Sequence, residues 1–457
     1  MQYKISNLGP IKNASVELGD LTIVCGKNNT GKTYLTYTLN TFLDTIWHNL
    51  SLPLSPVHLK QLLKNGEIRV DLKSYINKFI EVIDRTTKGF MGALPRFLVM
   101  HPDKFTNTSF SVDITRQDVL NKFKNEKLEN SKTTSDVEIV KGLNVFLNKS
   151  TKSTEVTLSI LSKLTKIPSP ALISKAISYP FANMFDCSLG AQLFPKPFII
   201  TCERTGASLF RHELVKTREM AHILESSQAE LGFHTPRSWG YQRPVEKDIE
   251  FVLSLDSVSQ RRSYISQFHP EILECLLSMT GGDYIVDSGT KTVKFLPKNS
   301  TMPLFMSESS STVRSLSELY FYLAHIANKG QLFMFDEPEL NLHPSSQRML
   351  ARLLIRLVNA GIKVFITTHS DYIVREINAL IVISKMEAES RKRILDEFSI
   401  DEKEIPDGNK VRAYILEDGN LTSVAPSDGG SFLMRTFDNT LNEYMKMINH
   451  VMQYSYK

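Results

Sequence analysis

One ten-residue stretch constrains this chain more than any other. It is Val24-Cys25-Gly26-Lys27-Asn28-Asn29-Thr30-Gly31-Lys32-Thr33, where Gly26, Gly31, Lys32 and Thr33 complete the spacing G-x-x-x-x-G-K-[ST]. The glycines let the backbone curl until successive N–H groups converge on a polyphosphate, with Lys27, Asn28, Asn29 and Thr30 as the intervening arc. Lys32 would neutralise the outer phosphates, and the Thr33 hydroxyl would ligate Mg²⁺. The flanks agree. Leu21–Cys25 is apolar and β-branched, which predicts a buried strand, and 33–43 predicts a helix whose N-terminus faces the anion. The stretch implies a nucleoside-triphosphate site.

A second half of such a site lies far along the chain. Residues 331–335 form an apolar run that ends in Asp336-Glu337-Pro338-Glu339, the pattern of a buried parallel strand delivering carboxylates to its C-terminal edge. Asp336 is expected to hold Mg²⁺ through water, and Glu337 to orient and polarise an attacking water. Lys363–Thr368 is another β-branched strand, followed by His369. A right-handed crossover would bring His369 to the same sheet edge, within reach of the γ-phosphate. Ser309, Ser310 and Ser311 precede a predicted helix over 315–328, where hydroxyls and free backbone N–H groups together suit an anion.

The remaining sequence sets the frame. With 457 residues the chain has room for two or three domains. A net charge of +5 permits nucleic-acid contact without arguing for it. The four cysteines (Cys25, Cys187, Cys202, Cys275) lack metal-type spacing, no signal peptide opens the chain, and no apolar run reaches the length of a membrane span. A reducing cytoplasm and no membrane association are therefore expected. Residues 1–25 read as strand, turn, strand and then the strand of the phosphate loop. From about residue 50 to 166, Lys, Asn, Ser and Thr become dense. His58–Asn65 and Val137–Leu147 look like amphipathic helices there. Residues 209–226 and 249–279 also read as helical, 283–285 with 291–296 as a hairpin, and 411–416 with 421–424 as another. The expected division is 1–48 and 195–425 as two parts of one head, 49–194 as a mainly helical insertion, and 426–457 as a helical tail.

Phosphate loop, serine turn, Asp-Glu strand and His-terminated strand follow in the order of an ABC-type ATPase head. Gly26–Thr33, the string Asp336-Glu337-Pro338-Glu339-Leu340-Asn341-Leu342-His343-Pro344 and Thr367-Thr368-His369-Ser370 resemble the OLD-like and RecF/SMC-like ATPases. That resemblance implies an α/β fold: a mixed sheet with a P-loop core and an antiparallel β subdomain. It also implies ATP and Mg²⁺ as ligands, and hydrolysis at interfaces between two copies of the chain, in a dimer or higher homo-oligomer. Ser309–Ser311 would then close on the partner's nucleotide as the signature segment. The segment Glu203-Arg204-Thr205-Gly206 resembles one in antiphage members, without an assigned role. The signature lacks paired glycines, and roughly ninety residues follow His369 without the Toprim acid set of OLD nucleases. The chain thus resembles the ATPase subunits of two-gene antiphage systems. These are the AriA kind of PARIS, with a Toprim partner, and the PtuA kind of Septu, with an HNH nuclease partner. A phage protein would be the trigger. The RecF likeness implies a different role, DNA binding in repair, to which Arg211–Arg218, Arg237–Lys247 and Arg261-Arg262 could contribute charge.

Overall fold

In the computed structural model, the apolar runs that flank the motifs become three neighbouring parallel strands. Residues 1–50, 54–125, 128–134, 143–150, 152–162, 193–211, 213–214, 240–287, 289, 292–427, 431–432, 445–448 and 450–451 are described. The chain opens with β1 (Gln2–Leu8), β2 (Ile11–Val16), β3 (Leu21–Cys25), α1 (Lys32–Asn49) and α2 (Pro56–Asn65). There follow β4 (Glu67–Asp71), α3 (Lys73–Phe97), β5 (Ser109–Asp113), α4 (Arg116–Asn125), β6 (Leu128–Thr134), β7 (Leu143–Lys149) and β8 (Glu155–Ser162). Next come β9 (Pro197–Ile200), α5 (Arg204–Leu209), α6 (Arg243–Leu253), α7 (Leu255–Val258), α8 (Tyr264–Phe268), α9 (Pro270–Thr280), β10 (Gly282–Val286), β11 (Val293–Pro297) and β12 (Leu304–Phe305). The last elements are α10 (Ser311–Phe321), β13 (Leu332–Asp336), α11 (Pro344–Asn359), β14 (Lys363–Thr368), α12 (Asp371–Ser384), α13 (Ala388–Glu397), β15 (Val411–Glu417) and β16 (Asn420–Val424).

Two compact units share these elements: 1–4, 41–94 and 109–196 in one, and 5–40, 95–108 and 197–457 in the other. In the second unit the sheet runs β1-β2-β16-β15-β3-β14-β13-β9. β3 pairs in parallel with both β14 and β15, and β13 in parallel with both β14 and β9. β3 and β13 are buried at every position, because helices cover both faces of a parallel sheet. Phe335, Ile366 and Ile23 pack with Leu350 and Leu354 of α11 and Ile373 and Ile377 of α12 in one core. Stacked rings extend it, with Tyr322 4.3 Å from Phe198 and 4.7 Å from Phe333 between centroids.

In the first unit β4-β8-β7-β6 form an antiparallel sheet. α3 buries Tyr75, Phe79, Val82, Thr86, Phe90 and Leu94, a single helical face. Among its described residues helix exceeds strand. The helix expected over 137–147 is not found: 143–147 lie in β7, and 137–142 fall outside the described residues. Leu143, Val145 and Leu147 recur with period two, and β7 has a pairing partner on each edge, β6 and β8. The stretch 249–279 is helical but interrupted, with Ser263 capping α8 and Pro270 opening α9. Both expected hairpins form. Most of 209–226 and of the tail, Cys187, Arg218 and Arg237 lie outside the described residues. Among the described residues no helix is long and apolar enough to cross a membrane.

Asp20, in the β2–β3 turn, fastens the start of this sheet. Its N–H donates to the Lys410 carbonyl at 2.9 Å, its carbonyl accepts from Val364 N–H at 2.8 Å, and its carboxylate accepts from Lys363 Nζ at 2.7 Å. Burial pushes the carboxyl up, but Lys363 and Lys410 outweigh it and hold Asp20 below the ordinary aspartate range. A depressed acid stabilises the fold above its unfolded pKa, and the benefit is lost as pH falls through the folded value. Asp20→Asn should therefore lower stability by about 0.5–1 kcal/mol at pH 7. In denaturant melts the difference from wild type should vanish at pH 2–3. A pH-independent difference would contradict the ion-pair account.

Candidate nucleotide site

The register of the parallel strands brings the site together. Cys25 pairs opposite Thr368, and Asp336 opposite Thr367, so the segments after β3, β13 and β14 leave the sheet at one level. These are the Gly26–Gly31 loop, Glu337 and His369. The loop's glycines are forced by its walls. A Cβ on Gly26 would lie 2.5 Å from the Leu416 carbonyl oxygen of β15. Gly31 has φ +104°, and its Cβ would come 2.8 Å from both Pro10 and Ile11 at the β1–β2 turn. The Thr30 hydroxyl donates to the Lys27 carbonyl at 2.9 Å. Lys32 is buried, and its ammonium donates to the Gly26 and Lys27 carbonyls, both at 3.0 Å. Burial lowers the Lys32 pKa, while Glu337 and Asp336 act against that shift. The opening N–H groups of α1 have no intrahelical acceptor.

The acids differ sharply in environment. Asp336 is fully buried. One carboxylate oxygen accepts from the Thr367 hydroxyl, and Oδ2 has no hydrogen-bond partner among the described residues. Burial pushes the Asp336 carboxyl up to about 6, against the Thr367 hydrogen bond. Glu337 is partly exposed, and its Oε1 lies 3.2 Å from His369 Nε2. The hydrogen bond to His369 holds Glu337 below the ordinary carboxyl value, against burial. Glu337 also has φ +48°, a conformation unusual for a residue with a side chain. Glu339 supports the histidine from behind, its Oε1 accepting from His369 N–H at 2.6 Å and its Oε2 from the Thr368 hydroxyl at 2.9 Å.

A cavity of about 490 Å³ lies between these groups. Asn28, Asn29, Gly31, Lys32 and Thr33 line it with Pro10 and Tyr34, facing Glu337 and His369. Its size and mix of amide, hydroxyl and ammonium donors suit a phosphate chain. A Mg²⁺ ion also fits the donor set. Thr33 lines the cavity, and the neighbour of Glu337 in sequence, Asp336, has a buried carboxylate oxygen without a partner among the described residues, which suits a cation that keeps part of its water shell. Lys27, Asn28 and Asn29 are exposed at the rim.

The three serines stand apart. Ser309 is buried and donates to the Phe305 carbonyl at 3.0 Å, and the Ser310 hydroxyl caps α10 by accepting from Val313 N–H at 3.3 Å. Ser310 and Ser311 are exposed, and none of the three lines the cavity. Three residues at this edge carry no role in the sequence reading: Thr367, Glu339 and Arg204. Arg204 is fully buried and hydrogen-bonds the carbonyls of Asp336 and Glu337. Thr367 and Glu339 stand within the recognisable strings, but their support of neighbouring groups has no sequence signal.

Because Gly31 is hemmed in at positive φ, Gly31→Ala should strain the loop by about 1–3 kcal/mol. Equilibrium titration with a fluorescent ATP analogue should show affinity reduced by roughly ten- to a hundredfold. Unchanged affinity would mean that this loop does not hold the nucleotide.

Residues 1–374 match the family described as an AAA ATPase domain. No curated protein matches the chain. Solved structures similar to it include SMC heads. One is an SMC head bound to the C-winged helix domain of ScpA: 9% identity, 93% of this chain and 98% of that chain covered, TM-score 0.33. A second, derived from Pyrococcus furiosus, is an SMC head domain with an extended coiled coil bound to the C-terminal domain of ScpA: 11% identity, 99% and 98% covered, TM-score 0.30. A third is the SMC head domain from Thermotoga maritima: 10% identity, 93% and 98% covered, TM-score 0.31. The family match runs from the first strand to beyond His369 and so takes in both halves of the site; the chain belongs to the AAA ATPase domain family.

Proposed function

We propose that this chain is an ABC-type ATPase whose hydrolytic site is completed by a second copy, and that it serves as the sensor and scaffold subunit of a two-component antiphage system. One observation carries the first part. The cavity gathers Lys32, Thr33, Glu337 and His369, while Ser310 and Ser311 at the head of α10 are exposed and do not line it. Exposed serines outside the cavity suit a head-to-head partner, each copy closing the other's nucleotide. Lys32 and the amides of Gly26–Gly31 bind the phosphates of ATP, and Thr33 with Asp336 holds Mg²⁺. Glu337 orients the attacking water. His369, 3.2 Å from Glu337, would turn to the γ-phosphate of bound ATP and free that carboxylate.

The second part rests on the resemblance to the AriA kind of ATPase, with the PtuA kind as the near relative. Residues 49–194 offer a docking region for a separate Toprim or HNH nuclease, released when a phage protein acts on the assembly. A RecF-like DNA-binding role is the competing reading. Arg261 and Arg262 are exposed, but Arg243 is already paired with Glu246 at 3.3 Å.

Lys32→Ala should abolish ATP binding. Glu337→Gln should bind ATP at wild-type affinity, hydrolyse it at least about a hundredfold more slowly, and accumulate as a dimer in light scattering only when ATP is present. Normal hydrolysis by Glu337→Gln, or a monomer under ATP, overturns the assignment. Co-purification with the nuclease encoded by the adjacent gene supports the defence role. DNA affinity that falls steeply with salt, without such a partner, favours the repair role.

A further inference from the structure

Arg204 is fully buried, and its donors are committed to backbone and hydroxyl acceptors at the junction of three segments. Nε donates to the carbonyl and the hydroxyl of Ser315, both at 3.2 Å. Nη1 donates to the carbonyls of Thr201 and Asp336, both at 3.0 Å, and Nη2 to the Glu337 carbonyl at 2.8 Å. The guanidinium lies over the Phe335 ring, 4.8 Å from its centroid. Ser315 belongs to α10, and its hydroxyl in turn donates to the Leu340 carbonyl at 2.9 Å. One side chain therefore grips the helix that carries the exposed serines and the strand tip that carries Asp336 and Glu337.

Burying a guanidinium is costly unless its charge and donors are met. Two buried acids, Asp248 and Glu318, act on its charge. Neither oxygen of Glu318 has a hydrogen-bond partner among the described residues. Burial, and then the neighbouring Asp248, raise Glu318 and make it the proton holder. The whole arrangement is therefore polar, enclosed and nearly neutral, and its output is backbone geometry. Glu337 has φ +48°; its carbonyl accepts from Arg204 at 2.8 Å and from the Leu340 N–H at 3.2 Å, and its N–H donates to the Thr367 carbonyl at 3.1 Å and hydroxyl at 3.2 Å, so Arg204 is the one side chain from a distant segment that grips the carbonyl side. Freed from them, the peptide would relax to a common conformation and carry the carboxylate away from His369.

We propose that Arg204 is a positioning residue: it fixes the Glu337 peptide in its left-handed conformation and ties it to α10, so that the aim of the Glu337 carboxylate depends on a side chain that does not line the cavity. The proposal rests on the reading of Glu337 as the group that orients water.

The test uses the full chain with Arg204→Lys, Ser315→Ala, Glu337→Gln and the double variants of the first two with the third. Arg204→Lys keeps the charge and loses the fork. Its kcat should fall about 10- to 100-fold, with KM and the affinity for an ATP analogue within about twofold of wild type. Single-turnover hydrolysis by Arg204→Lys/Glu337→Gln should be no slower than by Glu337→Gln alone, because nothing remains to be aimed. Ser315→Ala, which leaves Arg204 in place, should lose about three- to tenfold in kcat and be equally silent beside Glu337→Gln. It decides the matter if Arg204→Lys does not fold. Losses that multiply in the double variants, or a normal kcat in Arg204→Lys or, failing that, in Ser315→Ala, overturn the proposal. A normal rate in Glu337→Gln instead overturns the reading on which it rests.

Discussion

Every feature of the nucleotide site depends on three parallel strands that end at the same height. Backbone hydrogen bonds pair Cys25 with Thr368 and Thr367 with Asp336, so the chain leaves β3, β13 and β14 side by side. A shift of one residue in either ladder would turn the acid strand over and send Asp336 to the other face of the sheet. The apolar residues behind the edge hold that register. Ile23, Phe335 and Ile366 are all buried, and slipping them would expose or overpack the core against α11 and α12. Chemistry at the edge thus rests on packing one layer below it.

The same edge brings together groups with opposed needs. Lys32 is buried, Asp336 is buried with one oxygen unpaired among the described residues, and Glu337 and His369 lie 3.2 Å apart at the mouth. Phosphate and a divalent cation supply what each buried group lacks. Local bonds hold each group in place: Lys32 to two loop carbonyls, Asp336 to Thr367, and His369 to Glu337 and Glu339.

Much of this was legible in the sequence, for a physical reason. A buried parallel strand is a continuous apolar run, and a loop that wraps phosphates needs glycine at fixed intervals, so both leave local marks. What escaped reading has no local mark. Arg204 looks like any charged residue in a polar tetrapeptide, because all its acceptors but the Thr201 carbonyl lie over a hundred positions away. The left-handed turn at Glu337, whose carbonyl Arg204 and the Leu340 N–H both bond, has no local mark either. In the insertion, apolar residues among Lys, Asn and Ser fit a helical period and a strand period alike at 143–147, and only pairing with β6 and β8 decides between them.

The crowding at Gly31 bears on which part of the chain the phosphate loop belongs to. Its outer wall is Pro10 and Ile11, and the turn that carries them is held by Lys12 N–H bonded to the Gly419 carbonyl at 2.6 Å and by Tyr34 packed against Gly9. The first two strands are therefore a buttress for the loop. A fragment starting at β3 would keep every letter of the nucleotide motif and lose the surface the loop leans on. Removing residues 1–20 would then cost nucleotide binding with the motif itself intact.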